Sequence, residues 1–244
     1  MKRPLKPRLD QFLVDRGLAD SLEKAKSLII AGEVTVNGQK LTKPGHTIPP
    51  DAHIELLAKP RYVSRGGLKL EGALKHFAID PTGWTCLDVG SSTGGFTDCL
   101  LQHGAARVYA IDSGTNQLDW RLRSDPRVIA RENQNSRLLT TEHVPEPIDL
   151  LVCDVSFISV TLALPPAISL LREHARMVIL IKPQFEAGRE QVGKGGIVRD
   201  SQVHDQVCRR IESFVQDLRF QTTITDSPIL GAEGNREFLL YAHR

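Results

Sequence analysis

Two acidic residues, Asp88 and Asp112, each stand near the end of a short apolar run. In an α/β protein such a position faces the ligand, because ligands bind beyond the C-terminal ends of the strands. A carboxylate there can accept hydrogen bonds from both hydroxyls of a ribose. Either residue alone could merely cap a loop or a helix. Together, at the ends of successive strands, they favour a site for a nucleoside cofactor.

The segment between these two strands narrows the choice of cofactor. Residues 90–95 contain three glycines, which let the backbone approach a ligand, and the helix that follows offers free amides at its start. The segment matches neither the Gly-x-Gly-x-x-Gly dinucleotide fingerprint nor the Lys-Ser/Thr ending of a phosphate loop. Without a cradle for pyrophosphate, S-adenosylmethionine is favoured over a nicotinamide dinucleotide. The predicted cofactor-binding residues are Asp88, Gly90, Ser92, Thr93, Gly94, Phe96 and Asp112.

Four further residues are predicted to reach the same edge of the sheet. Asp154 and Lys182 end apolar runs, Lys69 precedes the first strand, and Glu237 begins the last one. Two lysines and two carboxylates would therefore meet beside the cofactor. Taken singly, Asp154 could cap a helix and Lys182 could be a solvated strand end. The other two could be ordinary surface residues.

One motif points to a different chemistry but is incomplete. Residues 188–194 have the glycine spacing and the lysine of a phosphate loop. Gly195, however, stands where Ser or Thr must bind magnesium, and no helix is predicted until about Asp200. Nucleotide hydrolysis is therefore not expected. We interpret residues 188–196 as a mobile loop over the substrate, with Arg189 and Lys194 near phosphates.

The elements that must position these residues follow an α/β pattern. Apolar runs predict strands, and amphipathic segments between them predict helices. Runs that are apolar on both faces are typical of a central parallel sheet. The predicted strands are residues 85–89, 107–111, 128–130, 148–154, 177–183, 222–225 and 237–242, and the predicted helices include residues 64–77, 162–171 and 201–218. We expect a doubly wound, Rossmann-like sheet of about seven strands that ends in a hairpin.

A smaller α+β unit precedes this sheet. Residues 9–18 and 21–32 predict two helices, and Asn37-Gly38 marks a hairpin that residues 53–56 close as a further strand. The predicted domains are residues 1–58, a linker over residues 59–63 that is stiffened by a proline, and residues 64–244.

Charge is distributed unevenly along the 244 residues, although the net charge is only +2. Residues 1–65 carry 12 Lys and Arg against 7 Asp and Glu, whereas the remaining residues carry 19 against 22. A solvated surface could explain the excess. A basic small module on a mildly acidic larger domain instead suggests that the module holds a polyanion.

Composition excludes several classes of protein. The four cysteines form no C-x-x-C pair, which favours free buried thiols in a reducing cytosol, and the eight histidines lack metal spacing. No apolar run approaches the roughly 18 residues of a membrane span, and the N-terminus lacks the apolar stretch of a signal peptide. We expect a cytoplasmic globule without a metal or a membrane anchor.

The small unit resembles the S4-type RNA-binding domain. The resemblance rests on Arg8-Leu9-Asp10, the helix over residues 21–29, the pattern Gly32-x-Val34-x-Val36-Asn37-Gly38 and the closing Ile54. One departure is Leu22, which stands where that family usually has a basic residue, so one phosphate contact is missing. The resemblance implies that RNA is bound by Arg8, Arg16, Lys24, Lys26, Lys40 and, beyond the unit, Arg65. Small αβ modules of this kind also mediate protein contacts, which is the alternative.

The larger unit resembles the TlyA-type ribosomal RNA methyltransferases, also labelled haemolysin A, within the FtsJ-like 2′-O-methyltransferases. The matching segments are Ser64-Arg65-Gly66-Gly67-x-Lys69-Leu70, Asp88-Val89-Gly90-x-Ser92-Thr93-Gly94-Gly95-Phe96-Thr97-Asp98, Asp154-Val155-Ser156-Phe157-Ile158-Ser159, Lys182-Pro183-Gln184-Phe185-Glu186 and Gly234-Asn235-Arg236-Glu237. With the S4-like unit in front, the resemblance spans essentially the whole chain.

The resemblance implies methyl transfer from S-adenosylmethionine to a ribose 2′-hydroxyl of ribosomal RNA, in a cytidine of 16S or 23S rRNA or of both. Lys69, Asp154, Lys182 and Glu237 would form the catalytic tetrad. A ribose hydroxyl is a poor nucleophile, so a lysine held partly neutral by desolvation and a neighbouring cation can take its proton. Lys182 is expected in that role, with Asp154 holding it. Lys69 and Glu237 would position the nucleotide.

Two other functions compete with this expectation. The chain could be a non-catalytic RNA-binding factor of ribosome assembly that keeps the cofactor fold as a scaffold. The intact set of two lysines and two carboxylates argues against this. It could also be a pore-forming haemolysin, as the family's other label suggests, but no long apolar or strongly amphipathic segment supports that.

Overall fold

The computed structural model describes residues 6–57 and 60–244, and the chain divides into two compact units, Met1–Pro60 and Arg61–Arg244. The predicted linker over residues 59–63 begins outside the described residues, and its last three residues belong to the second unit. The first unit is α+β and the second is α/β. This confirms the predicted fold class.

The first unit packs two short helices on a three-stranded antiparallel sheet. The helices are α1 (Leu9–Asp15) and α2 (Leu22–Ile30), and the strands β1 (Val34–Val36), β2 (Gln39–Lys40) and β3 (Ile54–Leu56) pair in the order β2-β1-β3. Leu9, Leu13, Ala25 and Ile29 are fully buried and supply its core together with strand β1. The first helix ends before Leu18, earlier than predicted.

Local signals account for the boundaries of α2 and of the hairpin. Ser21 caps α2 by accepting a hydrogen bond from the Lys24 amide at 3.2 Å, which satisfies one of the free amides at a helix start. Asn37 and Gly38 both have positive φ angles, 49° and 78°, as a type I′ hairpin turn requires. Local residues therefore favour both boundaries, and the backbone of His53 adds two hydrogen bonds to Asn37.

The second unit is built on a seven-stranded sheet in the order β6-β5-β4-β7-β8-β10-β9. The strands are β4 (Thr85–Val89), β5 (Arg107–Ile111), β6 (Val128–Arg131), β7 (Ile148–Cys153), β8 (Leu171–Ile181), β9 (Gln221–Asp226) and β10 (Phe238–His243). Strands β4 to β8 pair in parallel, and β10 runs antiparallel to both β8 and β9. The predicted hairpin at the end of the chain is confirmed.

Helices cover both faces of this sheet. They are α3 (Gly66–His76), α4 (Gly95–Gln102), α5 (Trp120–Arg123), α6 (Val160–Ile168), α7 (Pro183–Glu186) and α8 (Ser201–Asp217). Alternate residues of β4 enter opposite cores, since Cys86 packs with α3 and α4 whereas Leu87 packs with α6 and α8. Because such a strand is buried on both faces, apolar residues do not alternate with polar ones along it. This explains the continuous apolar runs in the sequence.

The predicted start of the fifth strand of the sheet is wrong. The fifth strand was expected over residues 177–183 and Leu171 on the preceding helix, yet β8 begins at Leu171. The residues that follow Leu171, Arg172, Glu173 and His174, are exposed, and β8 becomes continuously buried only from Met177. Apolar periodicity detects a strand only where the core covers it, so the exposed first half gave no signal.

Candidate active site

Two neighbouring cavities open at the C-terminal ends of the parallel strands. The first, which we call the lysine cavity, has a volume of about 370 Å³ and lies at the ends of β4, β7 and β8. The second, the Asp112 cavity, has a volume of about 550 Å³ and lies at the ends of β4, β5 and β7. Both are lined by Gly90, Ser92, Asp154, Ser156 and Phe157. A ligand in one cavity would therefore be in reach of a ligand in the other.

All four residues predicted to meet at this edge line the lysine cavity. They form two ion pairs. Nζ of Lys69 lies 2.5 Å from Oε2 of Glu237, and Nζ of Lys182 lies 2.6 Å from Oδ1 of Asp154. The Lys69 and Glu237 side chains are 10% and 2% exposed. Two lysines, each paired with a carboxylate, thus line the lysine cavity.

Strand register brings these residues together. Lys182 follows β8 directly, and Glu237 precedes β10, which pairs with β8 through the partners Ile181 and Phe238. The two residues therefore flank the same end of adjacent strands. Asp154 follows β7, the other neighbour of β8, and Lys69 reaches the cavity from α3.

Ser156 is a member of the site that the sequence pattern did not single out. Lys182 donates a hydrogen bond to its Oγ at 2.9 Å. The contact between Lys182 and Asp154 is ionic but is not aligned as a hydrogen bond, so Ser156 is the acceptor that orients Nζ. Nothing in the spacing of residues 154–156 distinguishes this serine from an ordinary loop residue.

Gln184 is a second such residue. It lies in the turn after Lys182 and lines the lysine cavity. Its Oε1 is buried without a hydrogen-bond partner among the described residues. An acceptor left unpaired in a cavity wall is available to a ligand.

The Asp112 cavity suits a nucleoside. Asp112 accepts hydrogen bonds from the amides of Ser92 and Gly114, each at 2.7 Å and each to a different carboxylate oxygen. Every carboxylate oxygen has a further lone pair, so the group retains capacity for two hydroxyls. Ile111, Val155 and Ile158 provide apolar wall beside it. The residues of the Asp112 cavity therefore fit the predicted nucleoside cofactor.

Gly90 is required at the wall that the two cavities share. Its φ angle is +84°, and a Cβ atom there would lie 2.7 Å from the carbonyl oxygen of Asp154. Both the backbone conformation and the close approach exclude a side chain. Ser92, Thr93 and Phe96, predicted with it, also line the lysine cavity.

Two of the predicted cofactor residues, Asp88 and Gly94, line neither cavity. The Asp88 carboxylate is fully buried and accepts a hydrogen bond from Thr97 Oγ1 at 2.6 Å. Burial raises the pKa of Asp88 to about 7. Gly94, with a φ angle of +97°, packs against Leu122, whose Cδ1 would lie 2.2 Å from an added Cβ. Asp88 and Gly94 thus support the glycine loop through buried contacts and do not face either cavity. An acidic residue at a strand end looks the same in the sequence in both cases.

The predicted RNA-binding residues differ in their surroundings. Arg65 is exposed at the edge of the lysine cavity. In the first unit, Arg8 makes two hydrogen bonds to the buried Asp10, at 3.0 and 2.6 Å, and thereby lowers the pKa of that carboxyl. Arg16 lies 4.9 Å from the Phe12 ring centroid.

The three lysines of the first unit that were predicted to bind RNA are exposed, Lys24 and Lys26 on α2 and Lys40 on β2. The aliphatic stem of Lys40 lies over Gly32. The geometry thus favours Lys24 and Lys26 over Arg8 for contacts with an anion.

The incomplete phosphate-loop motif folds as an irregular segment. It contains a single 3₁₀ turn, Arg189–Gln191, and a bridge between Gly193 and Ile197. Arg189 and Lys194 are exposed, and neither lines the lysine cavity or the Asp112 cavity. A role over the substrate stays a prediction.

All four cysteines lie in the second unit. Cys86, Cys99 and Cys153 are buried and Cys208 is half-buried, all as free thiols, and burial raises the pKa of Cys99 and Cys208 to about 12. Within residues 6–57 and 60–244, no helix is both long and apolar enough to cross a membrane. No cluster of metal-ligating side chains occurs there either.

The seven-stranded order and the antiparallel β10 define a Rossmann-like sheet of the kind found in methyltransferases. A Listeria monocytogenes structure provisionally named an S-adenosylmethionine-dependent methyltransferase shares this fold, with a TM-score of 0.54 at 17% identity over 74% of this chain and 99% of that one. The family model of FtsJ-like methyltransferases matches residues 62–244, and the S4 domain model matches residues 7–54. The chain belongs to the FtsJ-like methyltransferase family, with an S4 domain in front.

Full-length relatives support this assignment. The Bacillus subtilis protein YqxC, provisionally named an rRNA methyltransferase, is 50% identical over 98% of this chain and 86% of its own length. The Mycobacterium tuberculosis 16S/23S rRNA (cytidine-2′-O)-methyltransferase TlyA is 43% identical over 96% of this chain and 88% of its own. A Streptococcus thermophilus structure provisionally named a hemolysin has a TM-score of 0.75 at 43% identity, over 98% and 88% of the two chains. The family resemblance inferred from the sequence is confirmed.

Proposed function

We propose that this protein transfers a methyl group from S-adenosylmethionine to a ribose 2′-hydroxyl of ribosomal RNA. The observation that carries the proposal is the meeting of Lys69, Asp154, Lys182 and Glu237 in one cavity that adjoins the Asp112 cavity. The printed activity of the TlyA relative, cytidine-2′-O-methylation of 16S and 23S rRNA, supports a cytidine as the target. Such an enzyme would act in the cytoplasm, where ribosomes are assembled.

Asp112 and the backbone around Gly90 would hold the cofactor. The Asp112 carboxylate has acceptor capacity for ribose hydroxyls, and the apolar wall beside it suits a nucleobase. S-adenosylmethionine supplies, when bound, an electrophilic methyl group on a sulfonium centre. Asp154, which lies on the wall common to both cavities, contributes a negative charge that favours a cation there.

Lys182 would act on the hydroxyl. Its Nζ is oriented by Ser156 and held by Asp154 at a fixed position in the lysine cavity. As an ammonium it can orient the hydroxyl, and after losing one proton to solvent the neutral amine can accept the hydroxyl proton. The Lys69 and Glu237 pair forms a rigid second wall that fixes the nucleotide. Much of the rate would come from holding two reactants in line, which can contribute as much as about 7–11 kcal/mol.

The S4 domain would hold the RNA. Lys24 and Lys26 project from α2 into solvent, and Arg65 lies at the edge of the lysine cavity. Phosphate contacts of this kind give affinity and register without sequence specificity. We propose the functional division as residues 1–58 for RNA binding, residues 59–63 as the linker and residues 64–244 for catalysis.

Tritium transfer tests the proposal. Purified, unmodified 30S and 50S subunits are incubated with labelled S-adenosylmethionine and wild-type protein, Lys182→Ala or Lys75→Ala. Lys75 is an exposed lysine of α3 and serves as the matched control. We expect label that survives alkaline cleavage as a dinucleotide, is lost in Lys182→Ala and is retained in Lys75→Ala.

Two results would contradict the proposal. Alkali-sensitive RNA label would indicate that a base rather than a ribose is methylated. Cofactor binding without transfer to either subunit would instead support the non-catalytic assembly factor.

A further inference from the structure

Asn235 is a buried polar residue that the proposed reaction does not use. It is 3% exposed, and its side chain makes three hydrogen bonds. Oδ1 accepts from the Val198 amide at 3.1 Å, and Nδ2 donates to the carbonyl oxygens of Gly196 at 2.9 Å and Ala232 at 3.2 Å. One side chain thus joins two segments that are 39 residues apart in sequence.

One of these segments is the turn over residues 231–235, which leads to Glu237. Asn235 also shapes this turn through its backbone, since its carbonyl accepts from the Gly231 amide at 2.8 Å. Gly231 lies directly against the Glu237 carboxylate, because a Cβ atom on Gly231 would lie 2.0 Å from Oε1. Ala232 lines the lysine cavity. The turn that Asn235 closes is therefore the support of the Lys69 and Glu237 pair.

The other segment, residues 196–198, directly follows the incomplete phosphate-loop motif. Gly193 and Ile197 form a bridge, and the Val198 carbonyl accepts a hydrogen bond from His204 Nε2 at 3.0 Å. Val198 is thus held on one side by Asn235 and on the other by α8. Upstream of this anchored base, the exposed loop carries the two cations Arg189 and Lys194.

We infer that Asn235 is a positioning residue that couples the loop over residues 188–198 to the turn that supports Glu237. An RNA phosphate bound by Arg189 or Lys194 would then stabilise the same arrangement that holds the Lys69 and Glu237 pair. The inference rests on the proposed function for its substrate. It goes beyond it by assigning to the loop a role in setting the geometry of the lysine cavity.

The chemistry requires an amide at this position. The site presents one donor, the Val198 amide, and two acceptors, the carbonyls of Gly196 and Ala232. An aspartate keeps the shape but directs a carboxylate oxygen at both carbonyls. The Gly196 carbonyl then loses its side-chain donor, and the Ala232 carbonyl keeps only the backbone amide of residue 235, at 3.1 Å. An alanine leaves all three backbone groups without a side-chain partner.

The experiment compares Asn235→Asp with Gln206→Glu, which makes the same amide-to-acid change on the exposed face of α8. We measure kcat and KM for the ribosomal subunit that wild-type protein methylates, the Kd for S-adenosylmethionine, and amide hydrogen exchange over residues 193–198 and 231–237. For Asn235→Asp we expect a fall in kcat of about tenfold or more, a cofactor Kd within about twofold, and faster exchange in both segments. Gln206→Glu should match wild type throughout.

A third variant separates coupling from loosening of the loop alone. His204→Phe removes the other anchor of Val198 while filling the ring volume beside Phe238 and keeping Asn235. The coupling therefore predicts faster exchange over residues 193–198 and, through Asn235, over residues 231–237 as well. Faster exchange over residues 193–198 alone would show that the loop loosens without affecting the turn, which would overturn the coupling. If Asn235→Asp speeds exchange in one segment only, or leaves kcat and KM at wild-type values, the coupling is overturned while the proposed function stands. If Asn235→Asp does not fold, Asn235→Ser is measured in its place against the same expectations.

Failure of the proposed function would have a different signature. Wild-type protein would then transfer no methyl group to either subunit, and the exchange measurements alone would decide the coupling. Faster exchange in both segments for Asn235→Asp supports it, and faster exchange in one segment overturns it.

Discussion

Lys69 and Glu237, to which we assign a role in the proposed reaction, form an ion pair whose burial also affects stability. Their charged groups lie 2.5 Å apart with the side chains only 10% and 2% exposed. Removing one partner leaves a buried charge uncompensated, which costs about 3–5 kcal/mol, whereas replacing both by apolar residues is often neutral. Stability and catalysis can therefore be separated by mutation.

The prediction is that Glu237→Leu is strongly destabilised and that Lys69→Met combined with Glu237→Leu recovers most of the lost free energy of unfolding. Neither variant should transfer methyl groups, because the wall of the lysine cavity has lost its charges. Urea unfolding and the tritium assay measure the two effects separately. An active double variant would show that the pair is purely structural.

Asp88 should make the free energy of unfolding fall as the pH rises. Burial raises its pKa to about 7, above the value near 3.9 of an unfolded chain. Between these values the folded protein binds a proton that the unfolded chain has lost, so this residue's contribution to stability falls as the pH rises. It is fully present below about pH 4 and is lost by the time the pH has passed about 7.

Asp88→Asn mimics the protonated acid and should remove this dependence. The free energy of unfolding of wild type relative to Asp88→Asn should fall by on the order of 1 kcal/mol per pH unit between pH 5 and 7. Parallel urea titrations at several pH values test it. Equal slopes for the two proteins would mean that Asp88 stays ionised when folded.

The sequence predicts charged residues at the cavity better than it predicts their hydrogen-bond partners. Lys182 and Asp154 follow apolar runs, so their place at the strand ends can be read from the pattern. Ser156 and Asn235 lie in irregular segments and Gln184 lies in α7, a helix of only four residues, so no periodicity fixes the direction of these side chains. Their partners are set by tertiary packing alone.

At the scale of elements, the glycines on either side of β4 separate two effects that a glycine can have. Gly90 and Gly83 both have positive φ angles, +84° and +76°. An added Cβ would lie 2.7 Å from the Asp154 carbonyl oxygen at Gly90, but would meet nothing within 4 Å at Gly83. Alanine at either position carries the left-handed backbone cost of about 1–2 kcal/mol.

Only Gly90→Ala should also affect the cofactor. Its Cβ must displace the backbone of Asp154, which lines both cavities, so we expect S-adenosylmethionine binding to weaken at least about tenfold. Gly83→Ala should lower the melting temperature and leave the cofactor Kd unchanged. Isothermal titration and thermal unfolding of both variants test this. Equal loss of affinity in both would trace the effect to strain rather than to the contact.

The elements themselves differ in how far the sequence specifies them. Strands β4 and β5 are buried along nearly their whole length, and their predicted bounds agree with the structure. Strand β8 extends six residues beyond its predicted start, because its exposed first half carries charged residues. Where a strand is stabilised by backbone pairing without burial, the pattern of apolar residues does not predict it.

At the scale of the whole molecule, the excess of positive charge lies in the first quarter of the chain, and the lysine cavity and the Asp112 cavity lie in the rest. Residues 1–65 carry 12 basic against 7 acidic residues, and both cavities are lined by residues from 64 onward. Binding of RNA and chemistry on RNA should therefore depend on different residues. In kinetic terms, neutralising the S4 domain should raise KM and leave the chemical step unchanged.

Lys24→Ala combined with Lys26→Ala tests this division. Each lost phosphate contact releases about one fewer counterion, so the slope of log Kd against log salt should fall by about 1–2. KM for the ribosomal subunit should rise, while kcat at saturating RNA and the Kd for S-adenosylmethionine stay at wild-type values. The matched control is Lys75→Ala with Arg209→Ala, two exposed cations of the second unit, which should leave the salt slope unchanged. If kcat falls along with the salt slope, α2 does more than hold the RNA, because it then also determines how the ribose reaches Lys182.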